Sequence, residues 1–369
     1  MSAPVSVSPD TTHPSNRHLP APKARLAIPG RLAAVDGLRA VAATWVVLFH
    51  MRAFSGAQFG GVLRPVDLLI RSGSTGVSLF LVLSGFCLYV PFAAGRQDRF
   101  KSGAFFIRRA RRLMPAYYVS LLATMAIVLI GGTRLNFSAM DLPTILWQSV
   151  AHIFMLHSLF PSTFYALNGA YWSLGLEWQL YLALPFLIWL TVKRGFVVSV
   201  TLVIACNVVY RVALTIALKE GLVPNDVNLQ QAVLPNFILG RWAEFGYGMV
   251  AAELYKSGWL ANHGKRYSLA LIPLVPAGFL LQETQFAHLV FGLVFAITLL
   301  LVLSEDNIVS HTLAWRPIAQ LGVMSYSLYL VHAPLLWMMA FLLKTQAHFS
   351  ATRTMLALIA LSPAVLGIA

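Results

Sequence analysis

Apolar residues dominate long stretches of the chain, and each stretch carries almost no charge. Residues 74–94, 115–132, 196–210 and 286–303 are examples. An apolar run of about 18 or more residues is the pattern of a helix that crosses a membrane. A soluble core does not need so many runs of this length. The pattern therefore predicts an all-α fold and a polytopic integral membrane protein.

About ten transmembrane helices are predicted. Residues 141–158 are also apolar, but Gln148, His152 and His157 interrupt them. We therefore predict a re-entrant or interfacial helix there rather than a further span. The predicted spans are 37–54, 74–94, 114–132, 172–192, 196–218, 236–255, 267–282, 286–303, 320–343 and 353–369.

Composition and charge agree with this class. Apolar residues make up 58% of the chain and charged residues 11%, against about 25% charged in a typical soluble domain. The formal net charge is +14, from 27 Lys and Arg against 13 Asp and Glu. A basic balance can indicate a nucleic-acid partner, but in a membrane protein it more often reflects basic residues retained in cytoplasmic loops.

The positions of the basic residues predict the orientation. With the N-terminus inside, 17 of the 27 Lys and Arg fall in inside segments, 7 in outside segments and 3 within spans. This bias favours both termini inside, the cytoplasmic membrane as location, and the lipid bilayer rather than nucleic acid as partner. A full span at 141–158 would place Lys193–Arg194 and Lys265–Arg266 outside, which argues against it.

The chain divides into two parts. Residues 1–34 contain Pro, Ser, Thr, His and Arg and lack the apolar segment of a signal peptide, so they are predicted to be a disordered cytosolic tail. Residues 35–369 are predicted to form one membrane domain. Cys87 and Cys206 lie in apolar runs and are interpreted as packing residues. No Cys/His cluster has metal-ligand spacing, and no metal is predicted.

The first predicted span carries three polar groups, Asp36, Arg39 and His50. Arg39 and His50 are eleven residues apart, close to three helical turns, so they share one face about 16 Å apart along the axis. A histidine inside the membrane could serve as a base, because imidazole exchanges a proton near neutral pH. It could equally be a core histidine bonded to a neighbouring helix.

A cluster of arginines precedes the third span. Arg108, Arg109, Arg111 and Arg112 fall within five residues, just before Pro115, which is predicted to lie in the first turn of the following helix. The simpler interpretation is a basic anchor at the membrane interface. The functional interpretation is a phosphate site, because the guanidinium group pairs with phosphate through two parallel donors.

Glu177 enters a span that has no other charge until Lys193. A carboxylate there needs a partner, because a charged side chain within a span costs about 2.5–3.5 kcal/mol. It could orient a histidine, or it could form a salt bridge with Arg39, Arg211 or Arg241.

Other spans also carry polar groups. Arg241 and Glu244 are three residues apart and are predicted to neutralise each other. Hydroxyl groups and His332 share the segment SYSLYLVH (325–332), where they could line a cavity or join helices. Ser84 and the glycine that follows it are interpreted first as packing residues.

Taken in order, five motifs resemble the membrane-bound acyltransferase-3 family of O-acyltransferases. Its features are an Arg and a His separated by ten residues, a Ser-Gly-Phe span, an Arg-x-x-Arg pair, a Trp-Ser-Leu-x-x-Glu segment and a late Ser-Tyr-Ser-x-Tyr-Leu-x-His segment. The matching segments are DGLRAVAATWVVLFH (36–50), VSLFLVLSGFCL (77–88), RRARRLMPAYY (108–118), WSLGLEWQLYLALP (172–185) and SYSLYLVHAPL (325–335).

The resemblance implies an enzyme that transfers an acyl group, most often acetyl, from cytosolic acyl-CoA to a hydroxyl group of a glycan or another acceptor. His50 is then the expected base, with Glu177 beside it, or the nucleophile that forms an acyl-histidine. The donor would bind Arg39, Arg108, Arg109, Arg111 and Arg112. The residues expected to line the cavity are Asp36, Ser84, Trp172, Ser173, Arg241, Tyr326 and His332.

The chain departs from the family pattern in two places. Trp178 stands where the family often has a second acidic residue, so no role for that carboxylate carries over. A short charged segment after the last span and an extracytoplasmic C-terminal domain are also not seen, and a stand-alone member is expected. Two other functions stay open from the residues alone: a transporter or flippase for a glycolipid or polysaccharide precursor, and a structural partner of an envelope complex.

Overall fold

The computed structural model describes residues 33–131, 141–263, 266–304 and 307–368, and the regular secondary structure in these ranges is helical, with turns and loops between the helices. The all-α prediction is confirmed for these ranges, while the predicted tail lies outside them apart from its last two residues, which begin the first helix. The α-helices are α1 (Ala33–Ser55), α2 (Arg64–Arg71), α3 (Gly76–Tyr89), α4 (Ser102–Gly131), α5 (Leu142–Ile153), α6 (Trp172–Arg194), α7 (Phe196–Lys219), α8 (Ile238–Lys256), α9 (Trp259–His263), α10 (Leu271–Leu280), α11 (Ala287–Leu303), α12 (Ile308–Ala314), α13 (Arg316–Thr345) and α14 (Ala351–Ile368).

Short helical segments join some of these helices. A π-helical turn at Leu229–Val233 precedes α8. The 3₁₀ segments are Gly61–Leu63, Ser72–Thr75, Gln97–Arg99, His157–Leu159 and Arg266–Ala270.

Several helices are suited to a bilayer. Among the described residues, five helical stretches are long and apolar enough to cross a membrane, or six if α11 and α12, which meet at 89°, count as one span. They indicate a multi-pass membrane protein. The five are Ala33–Ser55, Gly61–Tyr89, Trp172–Arg194, Phe196–Lys219 and Arg316–Thr345. The remaining predicted spans coincide with α4, α8, α10 and α14, and the number ten and the orientation stay predictions.

The first helix, α1, lies at the centre and packs against α3 and α13. Its backbone touches that of α13, because a Cβ atom added at Gly322 would lie 1.7 Å from the carbonyl oxygen of Asp36. Gly37 makes a similar approach to Leu313 of α12, with 2.2 Å between an added Cβ and the carbonyl oxygen. Small residues permit such close packing of membrane helices. The α1–α13 contact brings two distant parts of the chain together.

The helices α3 and α8 also pack through close backbone contacts at glycine residues. An added Cβ at Gly85 would lie 2.1 Å from the carbonyl oxygen of Phe245, and one at Gly248 would lie 2.1 Å from that of Val82. The helix α11 packs against both. These three helices hold the polar residues of α3 and α8 away from the outside of the bundle.

The helix α5 buries polar side chains and exposes apolar ones, the reverse of a helix on the surface of a soluble protein. Its buried positions include Gln148, Ser149 and His152. Its exposed positions are apolar, namely Leu142, Leu146, Trp147, Val150 and Ile153. An outward apolar face suits contact with lipid. With 12 residues, α5 extends about 18 Å, short of the roughly 30 Å hydrocarbon core. This length fits the predicted re-entrant or interfacial helix.

The prediction for Pro115 was wrong. The helix α4 begins at Ser102, so Pro115 lies in its interior and the arginine cluster is itself helical. The preceding residues include Ala, Arg, Leu and Met, which favour helix strongly enough to extend it through the cluster. Proline removes one backbone hydrogen bond there, but the helix continues to Gly131.

Candidate active site

His50 on α1 pairs with His332 on α13. The Nε2 atom of His332 lies 3.3 Å from Nδ1 of His50, and the two rings meet nearly edge to face, with centroids 4.9 Å apart. His332 is completely buried, whereas His50 is partly exposed. The close backbone contact of α1 and α13 explains why these two side chains can meet.

The hydrogen bonds assign the protons of this pair. Nδ1 of His332 lies 2.8 Å from the carbonyl oxygen of Tyr329, and Nδ1 of His50 lies 2.9 Å from that of Val46. A carbonyl oxygen only accepts, so both Nδ1 atoms carry hydrogen. Nε2 of neutral His332 is therefore an acceptor for the Nδ1–H of His50. This leaves Nε2 of His50 with its lone pair, and no hydrogen bond reaches it from the described residues.

The pair is connected to α6 through Tyr329. The Tyr329 ring lies 5.3 Å from that of His332. Its hydroxyl group lies 2.6 Å from Ser173 Oγ and donates to the carbonyl oxygen of Ala170, 2.9 Å away. Ser173 and Tyr329 are both buried. This link fixes the helix that carries Glu177 relative to the helix that carries His332.

Glu177 is held by hydroxyl groups. Ser84 Oγ donates to its Oε1 over 3.1 Å, and the Tyr181 hydroxyl group donates to the same oxygen. From the sequence, a histidine or an arginine was expected as the partner of Glu177. Its hydrogen bonds instead join α6 to α3, while His50 takes His332 as its neighbour.

The four arginines of α4 are available for an anion. Arg108, Arg111 and Arg112 are exposed, and Arg109 is partly buried. Its Nε atom is enclosed and has no hydrogen-bond partner among the described residues. None of the four forms an ion pair with a carboxylate in the described ranges. A phosphate group would supply the missing acceptor for such donors. The residues present therefore fit a ligand that carries phosphate groups.

Arg39 has a different environment from these arginines. Its Nη1 atom lies 2.7 Å from Asp36 Oδ1 in an ion pair, and its Nη2 atom donates to Cys87 Sγ over 3.2 Å. Cys87 was predicted to be a packing residue, and the structure adds this polar contact on α1. Arg39 is thus partly neutralised before any ligand binds.

Arg241 lies in a separate buried network. It pairs with Glu244, with 2.8 Å between Nε and Oε2, and donates to Ser78 Oγ over 3.2 Å. The predicted neutralisation of Arg241 by Glu244 is confirmed. Its guanidinium carbon also lies 6.0 Å from the centroid of Trp172, whose ring stacks on Phe164. Trp172 and Arg241 therefore contact each other, but every donor-bearing nitrogen of Arg241 has a protein partner.

A cleft opens between α4, α6 and α13. The cleft is narrow, with a volume of about 10 Å³, close to the space that one water molecule needs. Tyr326 borders it and donates to the carbonyl oxygen of Leu113 over 2.8 Å. The lining residues are Leu113, Met114, Met155, Leu174, Glu177, Trp178, Tyr181 and Tyr326.

The structure thus divides the candidate residues into groups. His50 and His332 form the first group. Glu177 and Tyr326 border the cleft, and Ser84 supports Glu177 there. Arg241 and Trp172 form the third group. Sequence reasoning missed Tyr181, which binds Glu177 one helical turn away. A tyrosine four residues after a lone carboxylate in a span is the signal that could have found it.

Known proteins include relatives of this chain. The family model described as an acyltransferase domain, acyltransferase 3, matches residues 32–369. A putative acetyltransferase of Acidianus two-tailed virus, ORF330, is 24% identical over 306 residues, covering 80% of each protein. The putative peptidoglycan O-acetyltransferase YrhL of Bacillus subtilis is 26% identical over 339 residues, covering 84% of this chain and 48% of YrhL.

A further relative is the peptidoglycan O-acetyltransferase OatA of Listeria monocytogenes, which is 25% identical over 331 residues, covering 82% of this chain and 49% of OatA. The chain thus spans about half the length of YrhL and OatA. No solved structure matches the chain. Because the family model covers nearly the whole described domain, the chain is an acyltransferase and belongs to the acyltransferase 3 family.

Proposed function

We propose that the protein transfers an acetyl group from acetyl-CoA to a hydroxyl group of a glycan, with His50 as the general base. The observation that carries this proposal is the hydrogen bonding of His50. Its Nδ1–H faces Val46 and His332, so the basic nitrogen Nε2 is directed away from both. A general base needs a free lone pair within reach of the proton that it removes.

The arginines of α4 support acetyl-CoA as the donor. CoA carries several phosphate groups at the end opposite to its thioester. In the part of the chain that the structure describes, these four arginines have no carboxylate partner and the enclosed Nε atom of Arg109 has no acceptor, which suits phosphate groups. In this proposal the phosphates stay at α4 while the arm that bears the thioester extends along the cleft toward His50.

The reaction has two steps. Nε2 of His50 takes the proton of the acceptor hydroxyl group as its oxygen attacks the thioester carbonyl. The tetrahedral intermediate then expels CoA as a thiolate, which takes the proton from the His50 imidazolium, giving an acetyl ester and CoA thiol. His332 accepts the Nδ1–H of His50 throughout, which favours the imidazolium. A positioned general base typically contributes about 10²–10⁴-fold to the rate.

The names of two relatives guide the choice of acceptor. YrhL and OatA are named as peptidoglycan O-acetyltransferases. We therefore propose a glycan hydroxyl group as acceptor for this chain, with the protein in the cytoplasmic membrane. Membership of an acyltransferase family also favours this function over the transporter or flippase that the residues alone left open.

The test uses purified protein in lipid nanodiscs with acetyl-CoA and a panel of glycans that includes peptidoglycan fragments. Release of CoA thiol and transfer of labelled acetyl are both measured. We expect transfer by the wild type, no transfer by His50→Ala, and unchanged binding of acetyl-CoA by that variant. An Arg109→Ala/Arg112→Ala variant should bind acetyl-CoA more weakly.

Two results would contradict the proposal. If His50→Ala retained wild-type turnover, His50 would not be the base. If folded wild-type protein bound no acetyl-CoA, the donor assignment would fail. A labelled acetyl group that stays on His50 in the absence of acceptor would replace direct transfer by the acyl-histidine route.

A further inference from the structure

The described residues donate hydrogen bonds to one of the two carboxylate oxygens of Glu177. Both of its hydrogen bonds, from Ser84 Oγ and the Tyr181 hydroxyl group, end on Oε1. An ionised carboxylate can accept about four hydrogen bonds on its two oxygens. Within the described part of the chain no hydrogen bond reaches Oε2, and Glu177 is partly exposed at the cleft. The protein therefore positions one oxygen and leaves the other for a ligand.

The cleft around Oε2 has a distinctive composition. Of the eight residues that line it, Glu177 is the charged one, and most of the others are apolar or aromatic. A ligand that lies against this cleft would contact mainly hydrocarbon and present one hydrogen-bond donor to a carboxylate. A sugar would need more polar partners than the lining supplies.

The position of the cleft connects the two parts of the proposed site. Leu113 and Met114 on its wall directly follow Arg112. On the other side, Ser173 lies one helical turn before Glu177 and binds Tyr329, whose ring packs on His332. The guanidinium groups of Arg39 and Arg109 are also close enough to Glu177 to interact with it electrostatically. A donor that reaches from α4 to His50 would pass Oε2.

One portion of acetyl-CoA has the chemistry that this cleft requires. The pantetheine arm between the phosphates and the thioester is uncharged, is largely hydrocarbon and carries two amide N–H groups. We propose that Glu177 Oε2 accepts a hydrogen bond from the pantetheine amide nearest the thioester, and so positions the thioester for attack. This inference rests on the proposed function, and it makes Glu177 a donor-binding residue rather than the partner of His50.

The variant Glu177→Gln isolates the effect. Glutamine has nearly the same shape, and its single oxygen can still accept from Ser84 and Tyr181. Its NH₂ group would then replace Oε2 at the cleft, where it presents a donor to another donor. The variant retains the contacts between α3 and α6 and replaces one hydrogen-bond acceptor at the cleft by a donor.

Two short thioesters provide the readout. S-acetyl-N-acetylcysteamine carries the amide nearest the thioester, and S-pentyl thioacetate has the same length with methylene groups in place of that amide. We expect the ratio of kcat/KM for the first over the second to fall about tenfold to hundredfold in Glu177→Gln, the range for a hydrogen bond to a charged group. Both compounds are also measured as competitive inhibitors of acetyl-CoA turnover, so a compound that is not turned over still gives a constant.

The outcomes separate this inference from the proposed function. An equal loss with both thioesters, or no loss with either, overturns the role of Glu177 while the acetyltransferase assignment stands. A wild type that does not favour the amide-bearing thioester overturns it as well. If the wild type neither turned over nor bound acetyl-CoA or either thioester, the proposed function itself would fail.

Discussion

At the scale of single residues, the central feature is a pair of imidazoles 282 residues apart in the chain. His332 differs from a carboxylate partner because it is neutral while it accepts a hydrogen from His50. A neutral acceptor orients the ring without the strong electrostatic pull of an anion. In the proposed mechanism His50 becomes an imidazolium when the acceptor hydroxyl group supplies its proton.

The role of His332 can be tested by substitution. We expect His332→Ala to lower kcat about 10²-fold, the scale of a small misplacement of a catalytic group, with little change in the KM for acetyl-CoA. His332→Gln should recover part of the loss, since its side chain can both accept from His50 and donate to the backbone. The pH profile of kcat should also shift in His332→Ala.

An unchanged kcat in His332→Ala would show that His50 needs no orienting neighbour. A large rise in KM with constant kcat would place His332 in binding instead. The fraction of folded protein in each variant, measured by size-exclusion chromatography, serves as the control.

Part of this site was predictable from the sequence and part was not. The i, i+3 spacing of Arg241 and Glu244 determines their contact within one helix, and that prediction is confirmed. The partners of His50 and Glu177 come from other helices, and such contacts depend on how helices pack. Spacing along one span could therefore identify His50 as a candidate but could not name His332 as its neighbour.

At the scale of elements, helix contacts depend on glycine. The α3–α8 contact leaves no room for a Cβ at Gly248, which would lie 2.1 Å from the carbonyl oxygen of Val82. Backbone cannot move aside as a flexible side chain can. The sequence predicted a packing role at Ser84–Gly85, and Gly85 does approach Phe245 closely, but the helix that it contacts was not predictable.

The variant Gly248→Ala should destabilise the protein by about 1–3 kcal/mol, the usual cost of overpacking. Gly103→Ala in α4 is the matched control, because no atom of the described residues lies within 4 Å of an added Cβ there. Thermal unfolding in detergent measures both. Equal midpoints for the two variants would mean that α3 and α8 can separate without cost.

The segment around α5 should respond to acid. The rings of His152 and His157 stack with centroids 4.2 Å apart. Burial lowers the pKa of His152 to about 4. Burial, aided by the nearby His152, lowers that of His157 to about 3. Both are therefore neutral in the folded protein, while the unfolded chain takes up protons near pH 6.5. Their contribution to stability is complete above about pH 6.5 and decreases as the pH falls toward 4.

This predicts a thermal midpoint that falls between pH 7 and pH 5, with a smaller fall in His157→Gln. The exposed His348 provides a control, and His348→Gln should retain the wild-type slope. If His157→Gln also retained that slope, the buried imidazoles would not be the groups that respond to acid.

At the scale of the whole molecule, the orientation in the membrane is the main open prediction. The basic residues predict both termini inside, and a full span at α5 would invert every later loop. One experiment tests both points because the loops after α5 would exchange sides. Residues 220 and 257 are suitable positions, since Glu220 and Ser257 are exposed and lie in loops predicted on opposite sides.

In a background without cysteine, Glu220→Cys should react with a membrane-impermeant maleimide on intact cells. Ser257→Cys should react only after the cells are permeabilised. The reverse pattern would show that α5 spans the bilayer or that the N-terminus is outside. Reaction at both positions on intact cells would point to damaged membranes. A cytosolic protein with an accessible cysteine, probed in the same cells, would also react if the membranes were damaged.

The close contact of α1 with α13 also has a consequence for biosynthesis. His50 leaves the ribosome 282 residues before its neighbour His332. Gly322, which packs against the backbone of Asp36, is also synthesised long after it. During translation α1 therefore enters the lipid before α13 has been made, and the imidazole pair forms only once both helices are present. In the proposed mechanism, a nascent chain without α13 holds its base without the neighbour that orients it.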